Sequence, residues 1–524
     1  MELDCDVLVV GAGCGGVAAA QSAAQLGQTV ILTEATDWIG GQLTAQAVPA
    51  DEHPWVEHTG VTATYRQLRD AVRDHYRRNR PLVPAARAAA HLNPGQAWVS
   101  NLAAEPTVLH SVLRDMLRPW LSVGQVRLLT RHEPISAEVT FDRVDAVTFT
   151  DTRDGETVRI TARYVLDATE EGDLLPLTGC EHVLGAESAA ETGEPHALAG
   201  PADPHDQQAI TWCVALELRP GEDHTIDRPA EYAFWRNYRA DHWPGPQLGW
   251  TTQEPETGKP LRRPLFGAPG EQDLWTFRRI RYGRHVRPAV PDITLVNWPQ
   301  IDYWLSPITG VPAAERATGL ERARQLTLSF VHWLQTEAPR PDGGVGYPML
   351  RPAGETLGTA DGLAAAPYIR EARRIRAEFT VLEQHIGVTA RPGATSAENF
   401  SDSVGVGCYR IDLHPSTSGR GYLDIATYPF QIPLGALVPV RLENLVAAGK
   451  CLGVTHITNG CYRLHPVEWN VGEAAGALAA FSIKRGVPPR AVRSKPELRD
   501  EFQAMLTDLG VQLQWPDAIR VQTR

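Results

Sequence analysis

The stretch DVLVVGAGCGGVAAA, residues 6–20, joins an apolar run to a glycine-rich turn and then to an alanine-rich segment. The apolar run predicts a buried strand at residues 7–10, and the alanines predict a helix behind the turn. A second apolar run at residues 29–32 predicts a second strand. Strand, helix and strand in this order form a βαβ unit and predict a parallel sheet. The turn has the spacing GxGxxG, with Gly11, Gly13 and Gly16.

The glycine spacing has a physical reason that points to a dinucleotide. The first glycine permits a tight turn, the second lets a pyrophosphate approach the backbone, and the third lets the helix pack closely on the strand. The N–H groups of Cys14 and Gly15 then face phosphate at a helix N-terminus, whose dipole favours anions. Glu34 ends the second strand, where its carboxylate can bind ribose hydroxyls and repel a 2′-phosphate. We therefore predict FAD or NAD rather than NADP; the alternative is a glycine-rich helix start without a ligand.

The residues that follow Glu34 favour FAD. In EATDWIGGQLT, residues 34–44, two adjacent glycines pass shortly after the acidic residue. This pattern resembles the flavoproteins built like glutathione reductase, in which a Gly-Gly pair passes close to the dinucleotide. The resemblance implies bound FAD, with contacts at Glu34, Ala35, Gly40, Gly41, Gln42 and Leu43. A plain turn at the glycine pair is the alternative.

A third segment, ARYVLDATEEGDL at residues 162–174, is similar to the Ala-Thr-Gly stretch of the same flavoproteins. The resemblance implies that Ala168 and Thr169 contact FAD. Glu170 stands where those proteins have the glycine, which is a departure from their pattern. Upstream, alternating strands surround an Asp-Gly turn, and the resemblance places the backbone of His132 near the adenine.

A fourth segment, residues 444–486, predicts a strand that ends at Gly449 and an alanine-rich helix after it. Two helix starts are open: Pro466 suits a first helical position, and Asn470 with Glu473 would form a capping box. Either start aims free N–H groups at the isoalloxazine edge, where they stabilise negative charge. A purely structural helix is the alternative. The cofactor residues predicted here are Gly449, Asn470, Gly472 and Glu473.

Taken together, the four segments carry a resemblance that covers most of the chain. The resemblance is densest in ITLVNWPQIDYW (293–304), PYIREARRI (367–375), DSVGVGCYRIDLHPS (402–416), YPFQIPLGALVP (428–439) and THITNGCYRLHPVEWN (455–470). The chain closely resembles the bacterial FAD-dependent oxidoreductases related to fumarate reductase and succinate dehydrogenase flavoproteins. That resemblance implies bound FAD and redox chemistry, but no particular substrate.

The implied fold class is α/β, with a discontinuous FAD-binding Rossmann domain of the glutathione reductase type and a mixed α+β substrate domain. Residues 1–180 and 431–490 are expected to form the two parts of the FAD domain. Residues 181–430 are expected to form the substrate domain with its insertions, and residues 491–524 a C-terminal capping segment.

Composition excludes several other classes. The 50 basic and 62 acidic side chains give a net charge of −12, which argues against nucleic acid as a partner. Seven scattered cysteines without a CxxC pair predict neither a disulfide framework nor a zinc site, and we expect no other metal. We expect no membrane span, because no long apolar run occurs, and no signal peptide, because the first strand begins near Met1. A cytoplasmic protein is the resulting expectation.

The middle of the chain contains few recognisable motifs. Residues 180–206 predict a long loop or a partly disordered insertion. Residues 313–335 have helical spacing, and residues 368–386 are predicted to form a partner helix. Tryptophans accumulate between these segments, and core anchoring is the favoured interpretation over a stacking pocket for an aromatic substrate. They are Trp212, Trp235, Trp243, Trp250, Trp275, Trp298, Trp304 and Trp333.

Two polar loops supply candidates for chemistry. Oxidation by a flavin needs a base for a proton and often a cation that fixes a substrate carboxylate. We predict His465 and His414 as candidate proton acceptors, with Arg463 or Arg410 as the anion-fixing group. For each histidine, a role in orienting its loop is the alternative.

The leading hypothesis is therefore an FAD-dependent oxidase or dehydrogenase that oxidises a small organic metabolite by hydride transfer to flavin N5. Oxygen and another carrier both stay open as the electron acceptor, and the sequence leaves the oligomeric state open. The alternatives are a flavin-dependent reductase of an activated double bond, a tailoring enzyme for an aromatic substrate, and a protein with purely structural FAD.

Overall fold

The computed structural model describes residues 1–268 and 270–523. Its strands are β1 (Glu2–Val10), β2 (Val30–Glu34), β3 (Val126–Thr130), β4 (His132–Thr140), β5 (Arg143–Asp151), β6 (Thr157–Asp167), β7 (His182–Val183), β8 (Ile210–Thr211), β9 (Val214–Leu218), β10 (Thr251–Gln253), β11 (Pro260–Arg262), β12 (Arg279–Arg281), β13 (Ile293–Val296), β14 (Asp302–Tyr303), β15 (Leu350–Pro352), β16 (Arg374–Ile375), β17 (Ser403–Gly407), β18 (Ile411–Leu413), β19 (Leu423–Ile425), β20 (Phe430–Pro433) and β21 (Leu445–Ala447).

Its α-helices are α1 (Cys14–Gln25), α2 (Ala63–Asn79), α3 (Pro84–Ala88), α4 (Pro106–Ser122), α5 (Leu174–Thr178), α6 (Ala189–Thr192), α7 (Tyr232–Asn237), α8 (Leu274–Phe277), α9 (Ala313–Thr336), α10 (Gly354–Leu357), α11 (Glu383–Ile386), α12 (His456–Tyr462), α13 (His465–Arg485), α14 (Pro489–Ser494), α15 (Pro496–Asp508) and α16 (Asp517–Arg520). Among these described helices, none combines the length and the apolar character needed to cross a membrane.

A seven-stranded sheet carries the glycine-rich turn. Its strand order is β3-β2-β1-β6-β5-β4, and β21 pairs with the end of β6. Strands β3, β2, β1, β6 and β21 run parallel, whereas β5 and β4 add antiparallel pairs. Residues 7–10 of β1 are at most 1 % exposed, as is typical of a central parallel strand with both faces covered. The predicted βαβ unit is confirmed, because α1 begins at Cys14 directly after the turn.

Helix α13 packs against α1 with the two backbones almost in contact. A Cβ atom on Gly472 would lie 1.9 Å from the carbonyl oxygen of Gly15, and one on Gly476 would lie 2.2 Å from that of Ala19. No side chain fits at either position. The two glycines therefore allow α13, near the C-terminus, to pack directly against α1, near the N-terminus.

The N-terminus of α13 resolves the two helix starts that the sequence leaves open. The helix begins at His465 with Pro466 in its first turn, so the Pro466 alternative is correct. Asn470 lies inside the helix and bonds elsewhere, donating to the carbonyl oxygen of Val404 at 3.1 Å. Glu473 likewise accepts a hydrogen bond from Thr64. The capping box at these two residues does not form.

Two hydrophobic cores lie in different parts of the chain. The first combines residues between 7 and 180 with residues between 375 and 511, and the second combines residues 47–48 with residues between 210 and 369. Residues 375–430, which the predicted boundaries assign to the substrate domain, thus contribute to the first core. The division at residues 180, 430 and 490 stays a prediction. The tryptophans are buried in the second core or in a small cluster of Trp243 and Trp304.

Residues 368–386 do not form the helix that their spacing predicts. Only α11 is helical there, and β16 pairs with β7 instead. The arginines explain the difference, since Arg374 is fully buried and pairs with Glu187 as well as with Glu371. A solvated helix face would leave these charges in water, whereas the extended chain carries Arg374 to Glu187 and Arg370 to Asp302, which are distant in the sequence. Strand β7 belongs to residues 180–206, which otherwise have little regular secondary structure.

Candidate active site

A cleft of about 670 Å³ opens at the carboxyl ends of β1, β2 and β6. This edge is where parallel α/β sheets bind their ligands. Eight of the residues predicted to bind the cofactor line the cleft: Gly11, Gly13, Glu34, Ala35, Gly41, His132, Ala168 and Thr169.

Glu34 is fixed at the end of β2. Its carboxylate accepts hydrogen bonds from Ala12 N at 3.0 Å and from Thr36 N at 2.9 Å. Burial raises the pKa of Glu34 to about 7, although these hydrogen bonds oppose the shift. His132 lies in the same cleft, and its ring contacts the carbonyl oxygen of Thr130 at 2.8 Å. This part of the cleft therefore presents an oriented carboxyl group to a ligand.

The glycines of the turn have two different roles. A Cβ atom on Gly11 would lie 2.4 Å from the Ala168 carbonyl oxygen, and one on Gly16 would lie 1.9 Å from that of Gly11, so both glycines permit close backbone packing. Gly13 is different, because the atoms nearest to its Cβ position are the ends of two glutamate side chains, Glu170 at 3.0 Å and Glu468 at 3.4 Å. Gly13 thus keeps the cleft open at the N-terminus of α1.

Three charged side chains surround this open position. Lys450 pairs with Glu170 and donates to the carbonyl oxygen of Ile369 at 2.8 Å. Burial and Glu170 raise the pKa of Glu468 to about 7, against the opposing effect of Lys450. A Cβ atom on Gly41 would lie 2.4 Å from Oε1 of Glu170. The Glu170 carboxylate therefore lies between the two glycine segments of the cleft.

These features fit FAD, the cofactor that the sequence resemblance implies. The cleft joins an oriented carboxyl group, suited to ribose hydroxyls, to a glycine-lined helix N-terminus, suited to a diphosphate. Oε1 of Glu170 is buried there without a hydrogen-bond partner. An O–H or N–H of a bound ligand would satisfy this acceptor.

The other predicted cofactor residues do not line the cleft. Gln42 donates to the carbonyl oxygen of Arg463 at 2.9 Å and to Glu468. Asn470, Gly472 and Glu473 make the packing and hydrogen-bond contacts of α13 described above. The remaining ones are buried beside the cleft and their cofactor contacts stay predictions: Cys14, Gly15, Gly16, Gly40, Leu43 and Gly449.

A second cavity of about 280 Å³ shares a wall with the cleft. In the wall segment, Pro367 and Ile369 line the cleft, whereas Tyr368 and Arg370 line the second cavity. This alternation is the period of two of an extended chain. We call the second cavity the arginine pocket, after Arg263, Arg278, Arg370, Arg410 and Arg463.

Four of these arginines already have acidic partners. The pairs are Arg278 with Asp51 (3.0 Å), Arg370 with Asp302 (3.2 Å), Arg410 with Glu256 (2.9 Å) and Asp424, and Arg463 with Asp412 (3.3 Å). Arg410 and Arg463, the predicted anion-fixing groups, do lie in the pocket. Because their charges are already balanced, that role stays a prediction for both.

His414 forms a carboxylate–imidazole pair in the arginine pocket. Its Nδ1 lies 2.5 Å from Oδ2 of Asp302, and Tyr422 donates to the same oxygen at 3.2 Å. Burial alone would raise the pKa of Asp302, but Arg370 and His414 outweigh it and keep the pKa below its ordinary value. Burial and Arg370 lower the pKa of His414, against the effect of Asp302. This shift favours the neutral imidazole, in which Nδ1 donates to Asp302 and Nε2, 3.7 Å from Oδ2 of Asp412, is an acceptor.

His465 is placed differently. It is fully buried and does not line the arginine pocket. Its Nδ1 accepts a hydrogen bond from Asp51 N at 3.0 Å, which assigns the proton to Nε2, an atom without a hydrogen-bond partner. Burial lowers the pKa of His465 to about 4; Asp51 opposes the shift, and Arg278 and Arg463 add to it. The free ring nitrogen is thus a donor, and the role of His465 as proton acceptor stays a prediction.

Several residues of the pocket are absent from the sequence-based candidates. The most important are Asn297, Arg263 and Tyr422, together with Asp302, which does not line the cavity itself but pairs with His414. Asp302 and Asn297 belong to the stretch ITLVNWPQIDYW, which carries part of the family resemblance, so polar residues within it were the available signal. No sequence pattern singles out Arg263, because what distinguishes it is the absence of an acidic partner in the described structure.

One comparison with known proteins identifies the family. A family model described as FAD dependent oxidoreductase matches residues 6–506. No curated protein matches the chain.

Several solved structures match the chain, all with low identity and low TM-scores. A quinol fumarate reductase FrdA variant from E. coli is 13% identical, with 97% of this chain and 74% of that chain covered and a TM-score of 0.34. The Mycobacterium smegmatis Sdh1 complex is 14% identical, covers 97% and 73%, and has a TM-score of 0.33. The anhydrotetracycline hydroxylase OxyS from Streptomyces rimosus is 12% identical, covers 97% and 67%, and has a TM-score of 0.32. Because the family model spans nearly the whole chain, the protein belongs to the family of FAD dependent oxidoreductases and is an enzyme that uses FAD.

Proposed function

We propose that the enzyme is an oxidase or dehydrogenase that oxidises a small organic metabolite bound in the arginine pocket. The observation that carries the proposal is the position of His414. Its side chain lines a pocket that shares a wall with the cofactor cleft, and its Nδ1 is held by a buried carboxylate. This is the arrangement that a general base requires.

Oxidation removes one hydride and one proton from the substrate. The chemistry that bound FAD would supply is acceptance of the hydride at N5. His414 accepts the proton at Nε2, and Asp302 stabilises the resulting imidazolium through Nδ1. Tyr422 donates to Asp302 and keeps that carboxylate in place. The side chain of His414 is only 16 % exposed, so bulk water has little access to the proton.

The residues that would hold FAD lie along the cleft. Glu34 is proposed to bind ribose hydroxyls, and the N-terminus of α1 at Gly13 is proposed to receive the diphosphate. The backbone near His132 is proposed to lie at the adenine end.

Anaerobic reduction tests the proposal. The purified holoenzyme is mixed with a panel of metabolites that carry an oxidisable C–OH or C–NH group, and bleaching of the flavin absorption is followed. Bleaching by a donor supports the proposed direction. If no donor bleaches the flavin and prereduced enzyme is reoxidised only by compounds with an activated double bond, the enzyme is a reductase instead.

Glu170 gives a separate prediction about cofactor affinity. Its carboxylate lies where the glycine segments meet, so it repels a diphosphate that approaches α1. We expect Glu170→Gln to bind FAD about 3- to 10-fold more tightly, because one unfavourable charge is removed and Lys450 is retained. The measurement is fluorescence titration of apoprotein with FAD. Glu156→Gln, at an exposed turn, is the control, and unchanged or weaker binding of FAD by Glu170→Gln would contradict the prediction.

A further inference from the structure

Arg263 differs from the other arginines of the pocket. Within residues 1–268 and 270–523, its guanidinium makes no ion pair and no side-chain hydrogen bond; it lies over the rings of Trp98 and Phe277, 5.6 and 5.8 Å from their centroids. Burial lowers the pKa of Arg263, although Glu254 opposes the shift. A half-buried cation without a counter-ion is unfavourable. An anionic ligand in the pocket would remove this cost.

Asn297 is a second and independent indication of a ligand. It follows β13, lines the pocket and is only 6 % exposed, yet its side-chain Oδ1 has no hydrogen-bond partner. The great majority of buried polar groups in folded proteins are hydrogen-bonded, and an unsatisfied one is costly. An N–H or O–H donor from a molecule in the pocket would satisfy this acceptor.

The rest of the lining indicates the body of that molecule. Four aromatic side chains line the pocket: Phe277, Tyr368, Tyr409 and Tyr422. Aromatic rings favour stacked or edge-to-face contacts with another ring. The volume of about 280 Å³ is at the lower end for small-molecule sites, which limits the ligand to one of modest size.

Building on the proposed function, we propose that the substrate is a small aromatic carboxylate that carries a hydroxyl or amino group. Its carboxylate pairs with Arg263, and its O–H or N–H donates to Oδ1 of Asn297 on binding; in the reaction that same proton passes to Nε2 of His414 while the carbon that bears the hydroxyl or amino group loses its hydride. Arg263 and Asn297 are thus specificity residues, whereas His414 takes the proton. Arg278, Arg370, Arg410 and Arg463 keep their acidic partners and hold the walls of the pocket.

Three probe molecules distinguish the contribution of the ligand's carboxylate charge from that of its hydrogen-bond donor. Mandelate has both, mandelamide lacks the charge, and phenylacetate lacks the hydroxyl. Each is titrated into the holoenzyme, and binding is read from the shift of the flavin absorption spectrum, with a dissociation constant for each probe. We expect mandelate to bind about 10- to 100-fold more tightly than mandelamide and about 3- to 10-fold more tightly than phenylacetate.

Two variants locate these preferences. Arg263→Gln should lose the preference for mandelate over mandelamide, and Asn297→Ala should lose the preference for mandelate over phenylacetate. Arg262→Gln is the matched control, because Arg262 is the exposed neighbour on β11. Retained flavin absorption reports that each variant is folded.

The inference is overturned if mandelate does not bind, if mandelamide binds the wild-type enzyme as tightly as mandelate, or if Arg263→Gln keeps the preference. These outcomes are distinguishable from failure of the proposed function. Reduction of the flavin by an uncharged metabolite would retain the oxidase or dehydrogenase and reject the substrate class. If the probes bind with the expected preferences but no donor reduces the flavin, the anion site is retained and the proposed direction of the reaction is rejected.

Discussion

Replacement of His414 by Asn is expected to slow flavin reduction by about two to four powers of ten while FAD stays bound, since this is the usual contribution of a general base. Asparagine keeps a polar side chain beside Asp302 but cannot accept a proton at the position of Nε2. The measurement is anaerobic stopped-flow absorption with a donor that reduces the wild-type enzyme. His205→Asn, at an exposed histidine, serves as the control.

The pH dependence sharpens this test. A base must be unprotonated, so the rate of reduction by the wild-type enzyme should rise with pH through the pKa of His414 and then become constant. Burial and Arg370 place that pKa below the ordinary value of 6.5. The acid limb should be absent from His414→Asn. If His465→Asn slows reduction and His414→Asn does not, the proton acceptor is His465.

Replacement of Gly13 by Val is expected to give a folded protein without FAD. The backbone of Gly13 has φ −62°, which any residue adopts, and the atoms nearest to its Cβ position belong to movable glutamate side chains. The added methyl groups fill the open end of the cleft, where the diphosphate would meet the N-terminus of α1. Loss of several charge-assisted hydrogen bonds should weaken FAD binding by at least about 100-fold.

The ratio of flavin to protein absorption after purification measures this effect, and far-ultraviolet circular dichroism reports the fold. Gly200→Val is the control, because no atom lies within 4 Å of its Cβ position. Gly16→Val should behave differently and fail to fold, since its Cβ would lie 1.9 Å from the Gly11 carbonyl oxygen. A yellow Gly13→Val protein with the wild-type flavin content would contradict the proposed placement of the diphosphate.

The sequence predicts well those features that depend on local chemistry. The glycine spacing after β1 predicts the turn, α1 and the parallel pairing with β2, because each requires residues close together in the chain. Pro466 likewise predicts the start of α13, since proline fits a first turn.

Features that depend on distant partners could not be predicted. Residues 368–386 have a helical pattern, but buried ion pairs with Glu187 and Asp302 keep the chain extended. The pairing of His414 with Asp302 joins residues 112 positions apart. Whether Arg263 has an ion-pair partner depends on which residues surround it in space, and the residues next to it in the sequence do not indicate this.

The contact between α1 and α13 also determines how this protein can be made. The ribosome releases the first strand of the sheet long before β21 and α13 have been synthesised, so the nucleotide-binding half spends most of translation with one face uncovered. Exposed apolar surface of this kind favours aggregation and recruits chaperones. Shortening the chain before residue 465 would leave the same surface bare permanently, and we expect the N-terminal half to fold poorly without α13.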